Sequence, residues 1–231
     1  MAIQATGNAK NILVGASPLF LSTKDSTSAT YKENAEPGSA DGVAFVSGTS
    51  YTTTLNAVDL STAKYRNVGY TNNGLQITYN PTYGSVTVDQ LLDTAKLFKE
   101  SMEVMIATEM AEGTLENVLA VFGQGTSTLS AALTNSATST QTLGLEAGAL
   151  GVAPTERQLI AVGQAPTTVG ASTERVYYAR RVLSVQQSQF SLARNNATTF
   201  PVTFRLLPSG DTAYAGQEYG KIIDRVLTVT A

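Results

Sequence analysis

Residues 101–110, SMEVMIATEM, followed by 111–125, AEGTLENVLAVFGQG, decide the fold. In the first segment Met102, Val104, Ile106, Thr108 and Met110 alternate with Ser101, Glu103, Met105, Ala107 and Glu109. Met and Glu lean slightly towards helix, but a strict period of two describes a strand with one apolar and one polar face. The second segment changes period. Leu115, Val118, Leu119 and Phe122 make one stripe of a helix over about 114–123, with Thr114 as cap, Asn117 three residues on and Gly123 as stop. The apolar face of the strand is expected to meet that stripe.

Outward from this pair the chain reads as strands. VGYTNNGLQITYNPTYG (68–84) places a turn at 72–74 before Leu75, Ile77 and Tyr79 at period two, a strand with one buried face that Pro81 and Gly84 end. SVTVDQLLDTAKLFKE (85–100) alternates at Val86 and Val88 and then takes helical spacing at Leu91, Leu92, Ala95 and Leu97/Phe98, so a short strand followed by a loop or short helix is expected. NILVGASPLFLST (11–23), broken by Gly15 and Pro18, reads as an edge strand or two short strands. VAFVSGTSYTTTLNAVDLST (43–62) reads as one or two strands. RQLIAVG (157–163), ERVYYARRVLSVQQS (174–188), TTFPVTFRLLP (198–208) and KIIDRVLTVT (221–230) are strands separated by turn residues. Residues 1–10 are a small, polar arm, and 24–62 and 124–151 are loop insertions in one domain spanning 1–231. No repeat is present. Strands on either side of a single helix describe a mainly β fold, a β-sandwich or small barrel with one flanking helix.

Composition narrows the chemistry. The chain has 231 residues, net charge −3, and no His, Cys or Trp. No His means no Ser-His-Asp triad and no imidazole base or ligand; no Cys means no thiol nucleophile, disulfide or thiolate metal site. The acidic balance argues against a dedicated nucleic-acid-binding surface. No apolar run is long enough to span a membrane, and MAIQATGNAKNILVG has no signal-peptide pattern, so synthesis and folding in a cytoplasm are expected. Only 14% of residues are charged, and 51 are Ser or Thr, which suits a surface packed against other protein.

Candidate sites resolve into structural roles. Glu100, Glu103, Glu109, Glu112 and Glu116 read as a solvated face, since Glu103 and Glu109 on one strand lie ~20 Å apart, too far for a glycosidase pair. GQGTST (123–128) and GLEAGALG (144–151) lack the context of phosphate-binding loops. Arg180 and Arg181 fall on opposite faces of a strand and are expected to pair with neighbours such as Glu174 or with another subunit. NAT at 196–198 matches a glycosylation sequon without a secretion signal. No enzyme motif, cofactor site or metal site emerges.

NILVGASPLFLS (11–22), VGYTNNGLQITYNPTYGSVTVDQ (68–90), LLDTAKLFKESMEVMIATEMAEGTLENVLAVFG (91–123), RVYYARRVLSVQQS (175–188) and FPVTFRLLP (200–208), in that order, resemble the major tail tube proteins of tailed bacteriophages. The resemblance covers about two-thirds of the chain; 24–62 and 124–151 lie outside it. It implies a non-enzymatic virion protein forming hexameric rings that stack into a tube. It also implies an inner sheet continuing between subunits around a channel for double-stranded DNA, and a tape measure, terminator and possibly a sheath as partners. Six copies at −3 give −18 per ring, and such a lumen would not hold DNA phosphates. On this basis Ser101, Glu103, Met105, Ala107 and Glu109 face the lumen. Leu91, Leu92, Leu97 and Phe98, in the excursion 80–98, make contacts between rings. The alternatives are the inner tube of a contractile injection or secretion device, a single-ring tail terminator or decoration protein, and a carbohydrate-binding sandwich, which the absence of Trp disfavours.

Overall fold

The computed structural model describes residues 13, 15, 17–28, 65–91, 93–130, 134, 138–148, 150–151, 153–166, 172–186, 188–192, 194–195 and 197–227. The expected arm at 1–10, the strands at 43–62 and nearly all of the 24–62 insertion lie outside these residues. The described elements are β1 (Leu19–Ser22), β2 (Tyr65–Asn67), β3 (Thr71–Thr87), β4 (Thr94–Met110), α1 (Leu115–Val121), β5 (Arg157–Gln164), β6 (Ser172–Ser184), β7 (Phe200–Leu206) and β8 (Gly220–Leu227). Short 3-10 turns lie at Thr126–Thr128 and Thr212–Tyr214.

The strands form one antiparallel network in the order β2-β1-β5-β6-β7-β4-β3, with β8 also paired to β6. It is not a closed barrel. On one edge of β6, residues 172–179 pair with β8 and residues 182–184 pair with β7. The sheet therefore divides along β6 into two layers, a sandwich arrangement. Gly220 marks the division: its φ is +141°, and a Cβ there would lie 1.9 Å from the Tyr178 carbonyl oxygen.

Alternation along the strands sorts side chains into two apolar clusters on opposite faces. Leu19, Leu21, Leu159, Ala161 and Val182 join Val104, Ile106, Met110, Val202 and Phe204 in the main core. Phe20, Tyr65, Ile160, Val162, Val176 and Tyr178 form the second. Strands β1 and β5 are thus buried on both sides, which explains their nearly unbroken apolar runs. This corrects the edge-strand reading of 11–23: β1 lies between β2 and β5.

α1 falls where expected. The Thr114 hydroxyl accepts the Asn117 N–H (3.3 Å), and Gly123, at φ +65°, follows the last turn. Its core-facing residues are Val118, Ala120 and Val121, which pack with Val104, Ile106 and Met110; Phe122, expected on that stripe, is partly exposed. Residues 124–148 are irregular where described, apart from the 3-10 turn and a bridge between Leu129 and Leu143.

Two expectations around the 68–100 region are overturned. β3 does not end at Pro81 or Gly84 but runs to Thr87, because among the described residues no strand pairs with its outer side, and proline is tolerated at such an edge. Residues 94–98 are strand rather than loop or helix. The local helical spacing of the leucines yields to a ladder in which Lys96, Leu97 and Phe98 oppose Val86, Ser85 and Gly84. The result is a hairpin with two 17-residue arms.

Candidate assembly site

The expected polar face of β4 exists as a surface. Val104, Ile106, Thr108 and Met110 are buried, whereas Ser101 is exposed and Glu103, Met105, Ala107 and Glu109 are half-buried. The register places Asn80, Thr78 and Gln76 of β3 beside Glu103, Met105 and Ala107, and Arg205, Thr203 and Pro201 of β7 beside Met105, Ala107 and Glu109. Hydroxyl and amide groups of Ser101, Gln76, Thr78, Asn80 and Thr203 share this three-stranded face with Glu103, Glu109 and Arg205.

Its charges are largely engaged. Glu103 lies 3.5 Å from Arg205. One Glu109 oxygen accepts Asn73 Nδ2 (2.5 Å) and Asn72 Nδ2 (3.2 Å), and the other accepts the Thr199 hydroxyl. Glu109 thereby clamps the segment read from sequence as a turn. That segment is a bulge inside β3: Asn72 pairs with Glu109 and Gln76 with Ala107, with Asn73 and Gly74 at φ 60° and 68° between them. The positive-φ chemistry of Asn-Gly is used to insert extra residues into a strand rather than to join two strands. The Thr108 hydroxyl, donating to the Gly74 carbonyl (2.9 Å), holds the bulge from the core side.

A second bulge changes the faces of the hairpin. Thr82 pairs with Ser101 but Tyr83 pairs with Lys99, so Glu100 is an extra residue and the alternation of β4 reverses below it. Lys99 accordingly shares a face with Met102 and Tyr79, its Nζ donating to the Met102 sulfur (2.8 Å) and the Tyr79 hydroxyl (3.5 Å). Phe98 and Glu100 share the opposite face, where both would meet a Cβ at Gly84. Leu97 and Phe98, grouped together from sequence, thus point to opposite sides. Leu91, Leu97 and Phe98 are all exposed, while Leu92 lies outside the described residues.

The core-side face of the hairpin outgrows its cover. Near its base, Val104 and Ile106 are buried. Further out, Tyr79, Tyr83 and Leu97 are 59%, 58% and 64% exposed. Where the covering stops, an apolar groove of about 320 Å³ opens between the hairpin and the β6–β8 layer. Ile77, Tyr79 and Met102 line one wall, Tyr177 and Ile222 the other, and the Tyr219 hydroxyl donates across it to the Met102 carbonyl (3.3 Å).

A buried polar network, not legible in the sequence, anchors the hairpin base to the helix. Asn117 is fully buried: its Nδ2 donates to the carbonyls of Val68 (2.8 Å) and Glu112 (2.9 Å), and its Oδ1 accepts Arg66 Nη1 (2.6 Å). Burial, together with nearby Arg157, lowers the Arg66 pKa to about 10. Asp25, also buried, accepts Thr27 N, Thr126 N and Arg157 Nη2. Burial opposes its charge, but the Thr27 hydroxyl, Arg157 and the backbone N–H groups outweigh that and hold its carboxyl below the ordinary range. Arg181 forms a bidentate pair with Glu156 (2.7 Å each), while Arg180 is buried against the Tyr214 ring (3.8 Å) and donates to the Gln217 carbonyl. Arg181 thus pairs with Glu156, and Arg180 stacks on Tyr214 with Tyr178 nearby.

Of the carboxylates weighed for chemistry, Glu112 accepts the Tyr70 N–H and Glu116 accepts Gln141, structural duties both. Among the described residues no three acidic groups gather to hold a metal ion, and no helix is long and apolar enough to cross a membrane. No family model matches the chain, and no curated protein matches it.

Proposed function

We propose that this chain is a structural subunit that polymerises as stacked hexameric rings into a phage tail tube, a conduit for double-stranded DNA. The observation that carries the reading is the β3–β4 hairpin. Its outer half exposes aromatic and aliphatic side chains on both faces, and among the described residues no strand pairs with the outer edge of β3. An isolated molecule gains nothing from such an arm, and an exposed strand edge is a template for another chain. Neighbouring copies that pair with the edge and cover the faces remove both liabilities.

The polar face of β3, β4 and β7 supports the second half of the reading. A lumen must pass a polyanion without holding it, so it needs hydration without a surplus of cations. On this face Arg205 is matched by Glu103, and the remaining groups are mainly hydroxyls and amides. The hexamer and the DNA cargo come from the resemblance of the sequence segments to tail tube proteins.

Electron microscopy and light scattering of the purified full chain test the proposal. Hollow fibres or stacked discs with a continuous bore are expected. A monodisperse monomer at the highest attainable concentration overturns it.

A further inference from the structure

Building on the tube reading, we infer that the apolar groove between the hairpin and the β6–β8 layer is the socket for the hairpin tip of a second copy. The tip and the groove are complementary in two respects. The tip exposes Leu91 between Asp89 and Asp93, with exposed Val88 just before Asp89, an apolar knob beside carboxylates. The groove is apolar, with Lys99 bound to two of its lining residues, Tyr79 and Met102, and Lys221 in its wall. Acidic knob and lysine-rimmed socket occur on the same chain, the knob at the tip of one hairpin and the socket about midway along it.

That placement dictates the mode of assembly. Knob and socket on different parts of one surface make a head-to-tail contact when each copy seats its tip in the next, and such a contact propagates along a ring or a filament. The strand from Ile77 in the socket to Val88 at the tip covers at most ~37 Å at ~3.4 Å per residue. Successive copies are then displaced along the hairpin by no more than about that length. The bulge at Glu100 is what aims the socket. By reversing the alternation of β4 it brings Lys99 to the groove side and sends Glu100 to the other face, so the rim carries the sign opposite to the tip.

The chain has no cysteine, so engineered thiols report contacts without background. Leu91→Cys and Ile222→Cys are made in separate full-length chains, mixed, assembled and oxidised. The expected product is a disulfide-linked pair containing one chain of each kind, at least ~10-fold more abundant than with Leu192→Cys as partner, a still more exposed position outside the groove. In parallel, Asp89→Lys with Asp93→Lys raises the concentration needed for assembly by ~10-fold or more through like-charge repulsion, and adding Lys99→Glu reverses part of that loss. All of these side chains except Ile222 and Leu192 lie on the hairpin surface, and circular dichroism verifies that each variant folds. Tubes that form without the Leu91–Ile222 link overturn the socket and leave the tube reading standing. A wild-type chain that never assembles overturns both.

Discussion

Replacing Asn117 by Ala should be among the most damaging single changes in this protein, although the position is neither apolar nor near the polar face. The side chain is fully buried and makes three hydrogen bonds, to the carbonyls of Val68 and Glu112 and from the guanidinium of Arg66. Truncation leaves two carbonyls without that donor and removes one of the two bonds to the Arg66 head, the other being its bond to the Glu116 carbonyl (2.7 Å). An orphaned buried polar group costs ~1–3 kcal/mol, and a bond to a charged group is worth somewhat more than a neutral one. The sum, allowing for partial relaxation, is about 4 kcal/mol. A typical domain is stable by only ~5–15 kcal/mol. At ~2–4 °C per kcal/mol for a chain of this size, the melting temperature falls by ~8–16 °C. Urea and thermal unfolding of the full chain, followed by circular dichroism at a concentration where scattering detects no assembly, give the value. Asn117→Leu restores volume but not donors, so it should be nearly as damaging. A loss below about 1 kcal/mol in Asn117→Ala, or a leucine variant as stable as wild type, would refute the argument that these bonds hold the helix to the hairpin base.

Other consequences are equally open to measurement. Asp25→Asn breaks a buried pair with Arg157 and should cost ~3 kcal/mol. Because the folded carboxyl lies below its ordinary value, the stability it contributes is fully present above about pH 4 and is lost as pH falls through the lower folded pKa. The acid limb of the stability curve should therefore be shallower in the variant, and an unchanged limb assigns the acid sensitivity elsewhere. Gly220→Ala drives a Cβ into the Tyr178 carbonyl at a left-handed backbone position, which should cost ~3 kcal/mol or more. Hydrogen exchange would register it as selective loss of protection in β8, and protection retained there rules the clash unimportant. Thr78→Lys with Asn80→Lys adds two cations to the polar face without touching the core. Assembled tubes of this variant should retain DNA with a steep salt dependence, whereas wild-type tubes should not, and equal retention by both removes that face from the lumen. Glu109→Lys is a poor probe of the same point, since Glu109 clamps the Asn72–Asn73 bulge.

The amino-acid sequence by itself determined the elements whose patterns are strictly local. The alternation of 101–110 was enough to define that part of β4, since each second side chain there must face the core and no bulge interrupts β4 within it. Thr114 and Gly123 bounded the helix because capping is satisfied within one turn. Segments 157–163, 174–188, 198–208 and 221–230 read as strands for the same reason, being runs of apolar and β-branched residues between turns.

Tertiary structure decided what depended on a partner strand. Pro81 and Gly84 were stop signals locally, yet a ladder to β4 on one side, with no described strand paired on the other, carries β3 through both. Leu97 and Phe98 had helical spacing; as neighbours in a strand they take opposite faces, and only the bulge at Glu100, a mismatch between two strands that neither sequence contains alone, decides which of them takes the core side. Asn117 looked like a weak capping residue because its real partners, Val68 and Arg66, lie about fifty positions away. Periodicity records which way a side chain points; what it meets is fixed by the register of strands brought together from distant parts of the chain.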